Sequence, residues 1–413
     1  MSNIGIVGVG KLGICYASIL AKVGYKVFIH DINISILNNI KNDTYNYNEE
    51  GLNELISKYK SNIVLAYNLI DIYNNCDIIF TYIQTPSLNN GLYNHTYIDN
   101  FINEILTIDN GNGNNNEKII IINSTVIPEY CNSIKDKLKS KNFSLCYNPS
   151  FIAQGSIINN IINPDIILIG LDDDNNDNYN KIIDIYDKIL IIDIDNDNDN
   201  DNDNDNDNDN DNNNDNYNKI IDIYDKILII DNDNDNEKKY KRMNLLEAEI
   251  TKLSINCFIT TKITYANMIG DYLINNNCNP HIVLNAIGSD SRIGNKYINY
   301  GFGYGGPCLP RDNKALYEYG KINNYDFNIC KINDDNNSKH LFYQYEKLKQ
   351  STEPIEFIYI TYKDTSDILE KSQKLELAIL LANNKNKVII YERPYIIEIL
   401  KDKYNDLFEY REL

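Results

Sequence analysis

The sequence predicts an α/β protein: an N-terminal Rossmann-type parallel sheet, a long central helix, and a second, smaller C-terminal α/β domain. Three observations predict it. A glycine-rich turn joins an apolar strand to a helix at the N-terminus, a helical run occupies residues 245–274, and strand, loop, helix and strand patterns return over 355–391.

Residues 3–9 are short and almost wholly apolar, the pattern of a strand buried on both faces. Lys11–Val23 carry helical periodicity and KVFIHD (26–31) supplies the second strand. CDIIFTYI (76–83) and KIIIINST (118–125) each run into a polar turn, with helical stretches between them. Such alternation predicts a parallel sheet covered by helices on both faces.

From 172 to 240 the pattern collapses into Asp-Asn repeats, which bury too little apolar surface to offset the entropy of ordering, so a largely disordered insertion is expected there. NNDNYNKIIDIYDKILIID at 175–193 recurs letter for letter at 213–231, as slippage in a gene would produce; only one copy can fill the native place. LLEAEITKLSINCFITTKITYANMIGDYLI (245–274) lacks Gly and Pro until Gly270 and reads as a helix of about seven turns. Residues 279–320 read as glycine-rich loop. The expected domains are therefore 1–171 (dinucleotide-binding), 172–240 (insertion), 241–330 (central, helical) and 331–413 (C-terminal α/β, shortened).

Length and composition bound the function. A chain of 413 residues, 43% hydrophobic, exceeds one compact core. A net charge of -20 repels phosphate backbones and anionic lipid, which argues against nucleic-acid or membrane-surface binding. The eight cysteines are scattered without a C-x-x-C pair or His at zinc spacing, so a reducing compartment and no metal are expected. No leader pattern and no run of 18 apolar residues occurs, from which a cytoplasmic protein is expected.

Gly8-Val9-Gly10-Lys11-Leu12-Gly13 is G-x-G-x-x-G between a strand and a helix. In that setting the first glycine permits the turn, the second admits a pyrophosphate to the backbone, and the third lets helix pack on strand. Asp31 ends the second strand, where a carboxylate binds a ribose 2'-hydroxyl and repels a 2'-phosphate; Ile32, Asn33 and Ile34 follow, with no Arg. NAD is expected rather than NADP. Thr85-Pro86 and Ser124-Thr125 lie beyond the carboxyl ends of strands, the ligand side of such a sheet. Cys308 stands apart from the other cysteines. Gly303, Gly305 and Gly306 let a substrate approach the main chain beside it, and Arg311 would favour its thiolate. Lys252 and Asn256, four apart on one face of the long helix, offer an ammonium and an amide to one pocket, although a solvated helix face is the competing reading.

Taken together and in order, these segments resemble the UDP-glucose/GDP-mannose dehydrogenase family. The matching segments are GIVGVGKLG with Asp31, TPS (85–87), NSTVIP (123–128), YNPSFIAQG (147–155), NPDIILIG (163–170), EAEITKLSIN (247–256), GSDSRIG (288–294), GFGYGGPCLPRD (301–312) and KDTSD (363–367). The resemblance implies an NAD domain, a central helix that forms a homodimer core, and a C-terminal domain closing over a nucleotide sugar. It implies oxidation of UDP-glucose at C6 to the uronate by two hydride transfers through a thiohemiacetal and thioester on Cys308; GDP-mannose or UDP-N-acetylmannosamine are alternative substrates. By the same resemblance Lys252 stabilises oxyanions, Asn256 assists, and Asp312 and Thr125 hold the water used as base. NAD would be held by Gly8, Val9, Gly10, Lys11, Leu12, Gly13, Asp31, Thr85, Pro86, Ser124, Thr125 and Gln154. The sugar nucleotide would be held by Ser150, Phe151, Ile152, Ala153, Gln154, Lys252, Asn256, Asn299, Phe302, Gly303, Tyr304, Gly305 and Lys363, with Arg292 reaching across the dimer.

The chain departs from the family at four places. Ser150 and Gln154 stand where the family has glutamates, the first of them its general acid/base. Neither side chain accepts a proton near neutral pH, so slow thioester hydrolysis is expected, and a paralogue that binds without turnover is the alternative. The family lysine of the C-terminal domain aligns with Tyr362, Lys363 coming one place late, and a family arginine aligns with Leu369.

Overall fold

A computed structural model describes residues 3–45, 47, 49–108, 117–152, 155–172, 176–190 and 239–413. Its larger sheet contains β1 (Ile4–Val7), β2 (Val27–His30), β3 (Ile63–Leu65), β4 (Ile78–Thr81), β5 (Lys118–Ile122), β6 (Phe143–Tyr147), β7 (Ile167–Leu171) and β8 (Tyr240–Asn244). The order is β3-β2-β1-β4-β5-β6-β7-β8. Strands β1 to β6 are parallel, β7 is antiparallel to β6, and β8 is parallel to β7. The direction of winding reverses between β1 and β4, which opens a crevice at their carboxyl ends.

Alternate side chains supply two cores. Ile4, Ile6, Ile78, Phe80, Ile119 and Ile121 face one side, and Val7, Ile79, Ile120 and Ile122 the other. Both faces of these strands are apolar because helices cover both, so the strands read as continuous apolar runs.

The insertion begins later than expected and ends with a strand. Residues 176–190, from the first copy of the duplicated segment, form a helix that buries Ile182, Ile183, Ile185, Tyr186 and Ile189 in the first core. The Asp-Asn bias hid this amphipathic stripe, which belongs to the N-terminal unit. The second copy and the dipeptide repeat lie outside the described residues. Strand β8 pairs along β7 and leads straight into the central helix, Leu245–Asn275, 31 residues or about 46 Å long. Asn244 and Glu247 start that helix as a reciprocal capping box, each side chain accepting from the other's backbone N–H at 2.9 Å.

Two further expectations change. The region 279–320, read as loop, contains helices Pro280–Gly288 and Leu309–Ile322, each with proline in its first turn. The boundary expected at 330 falls inside helix Asn328–Leu348, which packs on the central helix and belongs to the central unit. The C-terminal unit is a parallel sheet of β9 (Ile355–Ile358), β10 (Val388–Glu392) and β11 (Glu409–Glu412), ordered β11-β10-β9, with helices Gln373–Asn383 and Pro394–Tyr404. Its core includes Phe357, Leu377, Leu381, Ile390 and Leu400.

Candidate active site

The glycine turn occupies the crevice at the switch of winding. At Gly8, φ is +90°, and a Cβ there would lie 2.7 Å from the Tyr82 carbonyl oxygen, so both conformation and space demand glycine. A Cβ on Gly13 would stand 2.1 Å from the Gly8 carbonyl oxygen, where helix meets strand, whereas one on Gly10 would meet nothing within 4 Å. Of these three glycines, Gly10 is the one with open space at its Cβ position. Gly10 also caps helix Lys11–Lys22 without a side-chain hydrogen bond, so the open space faces free amide N–H groups and the positive end of the helix dipole. Asp31 accepts from Val9 N at 2.7 Å and from Asn33 N at 2.8 Å, holding the turn against the end of β2. These residues fit a dinucleotide: a cradle for an anion with a carboxylate at the ribose position. Leu12 packs into the first core, while the Lys11 ammonium lies 3.8 Å from Glu49 and 4.0 Å from Asp367 of the C-terminal unit.

The loops after β4 and β5 are tied together beside this turn. Thr85 Oγ1 donates to the Thr125 carbonyl at 2.7 Å, and Ser124 donates to the Ile83 carbonyl. Pro86 offers its carbonyl to Asn94 N at 2.8 Å. Arg311 Nη1 donates to the Thr85 carbonyl at 3.1 Å, linking the cysteine loop to the dinucleotide crevice.

Around Cys308 the central helix and the cysteine loop converge. Cys308 and Cys278 are exposed; the other six cysteines are buried. Cys308 caps helix Leu309–Ile322 and accepts from Asp312 N at 2.8 Å through its carbonyl. Asp312 is buried and accepts from Tyr93 OH at 2.5 Å and Asn256 Nδ2 at 2.6 Å, with Arg311 Nε 3.8 Å away. Lys252 is buried, donates to the Ser150 carbonyl at 2.7 Å and lies 4.5 Å over the Phe151 ring. Its face of the helix is therefore an interior one. Burial pushes the Lys252 ammonium below the usual lysine range, while the Asp312 and Cys308 charges resist that fall. Desolvation by the neighbouring elements and the Asp312 carboxylate raise the Cys308 thiol on balance, although Lys252 and, as expected, Arg311 lower it.

The other expected residues fall into three groups. Ser150 and Phe151 reach Lys252; Ile152 is half-buried against the first core; Ala153 and Gln154 lie outside the described residues. The loop 299–305 is pinned to helix Asn328–Leu348: Asn337 accepts from Tyr304 N at 3.0 Å and donates to the Tyr304 carbonyl at 2.9 Å. A Cβ on Gly303 would strike Asn337, and one on Gly305 would lie 2.0 Å from the Lys371 carbonyl. Phe302 lines a separate cavity of about 470 Å³ with Tyr300, Tyr343, Phe357 and Lys374, and Asn299 is exposed. Arg292 is not brought to the cysteine; it is exposed and bound to Asp290 at 2.7 Å. Lys363 is exposed as well, its carbonyl accepting from Thr361, and it is Tyr362 whose ring packs on Gly306. Leu369 packs against the C-terminal core instead of reaching the cleft.

Sequence reasoning missed Tyr93 and Glu370, and it gave Tyr362 no contact with the cysteine loop. Tyr93 closes on Asp312 across 219 positions, and nothing in its local sequence signals that contact. The Glu370 carbonyl accepts from Gly306 N at 3.1 Å, which a loop pattern does not reveal. Among the described residues there is no cluster of three or more His, Cys, Asp or Glu suited to a metal, and no helix is long and apolar enough to cross a membrane.

Known proteins share the sequence pattern and the fold. Residues 2–190 match the NAD binding domain, and residues 246–339 the central domain, of the UDP-glucose/GDP-mannose dehydrogenase family. The chain is 25% identical over 394 residues to UDP-glucose 6-dehydrogenase of Rickettsia felis, covering 92% of this chain and 76% of that one. In fold it is similar to a UDP-glucose dehydrogenase from Pyrobaculum islandicum, with TM-score 0.79, 21% identity and coverage of 100% and 86% of the two chains. It is also similar to UDP-D-ManNAc dehydrogenase from Pyrococcus horikoshii, with TM-score 0.70, 18% identity and coverage of 94% and 83%.

Proposed function

Because the chain belongs to the UDP-glucose/GDP-mannose dehydrogenase family, we propose that it oxidises UDP-glucose at C6 to UDP-glucuronate, with NAD as the cofactor. The observation that carries this reading is the convergence on Cys308 of a buried Lys252, the Asn256–Asp312–Tyr93 network and an Arg311 that also grips the dinucleotide crevice. Asp31 at the end of β2 supports NAD over NADP, since a 2'-phosphate there would meet a carboxylate. Exposed Ile32 beside it offers apolar surface to an adenine ring.

NAD, when bound, supplies the hydride acceptor for both oxidations. The chain's own groups do the rest. The Lys252 ammonium, next to the Ser150 carbonyl, holds the substrate oxygen as negative charge develops, an interaction strengthened by burial. Cys308 adds to the C6 aldehyde as a thiohemiacetal, and loss of the second hydride leaves a thioester, which hydrolyses readily. Asp312 orients Asn256 and, with Thr125, holds water beside the reacting carbon. The sugar nucleotide lies along loop 299–305. Exposed Phe258, Tyr265, Met268 and Tyr272 on the central helix, with Ile282 on the next, support a homodimer through this face, which would bring in the partner's Arg292.

Ser150 favours a second reading, a protein that binds NAD and nucleotide sugar without completing the reaction, because no carboxylate is present at that position. A panel of UDP-glucose, GDP-mannose and UDP-N-acetylmannosamine with NAD or NADP tests both. Formation of two NADH per UDP-glucose, at a rate far above a Cys308→Ala control, is expected. Stabilisation of the melt by NAD without NADH from any sugar supports the second reading instead.

A further inference from the structure

Resting on that function, the last step requires a group to take a proton from water, and position 150 carries a hydroxyl. Two carboxylates lie near enough to Cys308 to influence its thiol, Asp312 and Glu370. Asp312 is committed: one oxygen accepts from Tyr93, the other from Asn256, and the side chain is 1% exposed. Both oxygens are thus occupied by protein donors in a buried position, where the hydrolytic water has little access to them. Glu370 is different. It is exposed, and its carboxylate has no hydrogen bond or ion pair among the described residues. Asp367, on the same segment, is drawn to Lys11 instead.

The backbone brings Glu370 to the cleft firmly. Its carbonyl accepts from Gly306 N at 3.1 Å, two positions before Cys308. The next carbonyl, of Lys371, occupies the place of a side chain on Gly305, and the Tyr362 ring occupies that of one on Gly306, where φ is +77°. The C-terminal unit thus forms a wall beside the cysteine loop.

We propose that Glu370 accepts the proton of the hydrolytic water at the Cys308 thioester, in place of the carboxylate that position 150 lacks. The water oxygen bonds to the thioester carbonyl carbon as one of its protons passes to Glu370. The tetrahedral adduct then collapses, breaking the carbon–sulfur bond. The sulfur leaves as thiolate and regains the proton from Glu370, and the product acid releases its own proton to solvent. No electrons are transferred in this step.

Pre-steady-state mixing with UDP-glucose and NAD separates this role from the function it rests on. With Glu370→Gln the first-turnover burst of NADH is expected to persist, while the steady rate falls by about 10²-fold or more and an acyl adduct on Cys308 accumulates by intact mass. Adding Ser150→Glu to that variant is expected to recover the steady rate. A Glu370→Gln protein with the wild-type steady rate, or one whose burst and steady rate fall equally without an adduct, overturns the inference. Glu370→Asp guards against loss of folding: it keeps the charge and should hydrolyse faster than the glutamine variant, and equal loss in two folded variants also overturns it. Absence of any burst from the wild-type chain overturns the proposed function itself.

Discussion

Substituting Gly10 by alanine adds one methyl group where the protein has left space, and substituting Gly13 adds the same group where it has left none. At Gly10 φ is -67°, which alanine adopts freely, and the new Cβ meets nothing within 4 Å. Stability should be unchanged or higher by up to about 1 kcal/mol, because alanine restricts the unfolded chain. The methyl group projects into the space offered to a pyrophosphate. Overpacking of about 1–3 kcal/mol there weakens NAD binding by roughly 5- to 150-fold. At Gly13 the Cβ would stand 2.1 Å from the Gly8 carbonyl oxygen, against about 3.3 Å for a close carbon–oxygen contact, so helix and strand must separate by about 1 Å. A cost of about 3 kcal/mol lowers the melting temperature by about 6–12 °C. Thermal melts and NAD titration calorimetry on both variants read the two effects. If Gly10→Ala binds NAD as the wild type does, or Gly13→Ala melts with it, the assignment of the cradle is wrong.

Three further outcomes follow from the same geometry. Lys252→Met should lower kcat by about 10²- to 10³-fold, as removal of an oxyanion donor does, with KM changed much less; a raised KM with kcat unchanged would mean that Lys252 serves substrate binding only. Ile185→Ala should cost about 2–4 kcal/mol in denaturant melts, since its side chain is buried in the first core; an unchanged melt would refute the packing of helix Asn176–Leu190 on that core. His95 accepts from Ile127 N at 3.3 Å and is held neutral by burial, its pKa falling to about 4 against the pull of Asp99. The unfolded chain then binds the extra proton first, so this contribution is complete above pH 6.5 and is lost as pH falls from 6.5 towards 4. Discounted for the partial exposure of the ring, the loss is about 2 kcal/mol, and it should vanish from the acid melts of His95→Phe; identical wild-type and variant profiles would refute it.

The parts of this fold legible from sequence are those governed by local chemistry. The glycine spacing and Asp31 announce the crevice because each position there answers to a backbone constraint, and the apolar strands announce a sheet covered on both faces. The cysteine was distinguishable by its glycines, and its exposure agrees. What escaped depends on distant contacts. The net shift of the Cys308 thiol escaped because the desolvation that dominates it is imposed by other elements, while the lowering cation, Arg311, lies three residues away in sequence. Helix Asn176–Leu190 was submerged in a compositional bias that masked its buried isoleucines. The roles of Tyr93, Tyr362 and Glu370 arise from chain crossings between units, for which sequence spacing carries no signal.

The covalent role of Cys308 is the centre of the account, and rapid quenching tests it most directly. Wild-type protein mixed with NAD and UDP-glucose, quenched in acid within the first turnover and digested, should yield the Cys308 peptide carrying a UDP-hexuronyl thioester, with two NADH formed for each adduct. NADH formation with no adduct on that peptide, or at the same rate from Cys308→Ala, would contradict it.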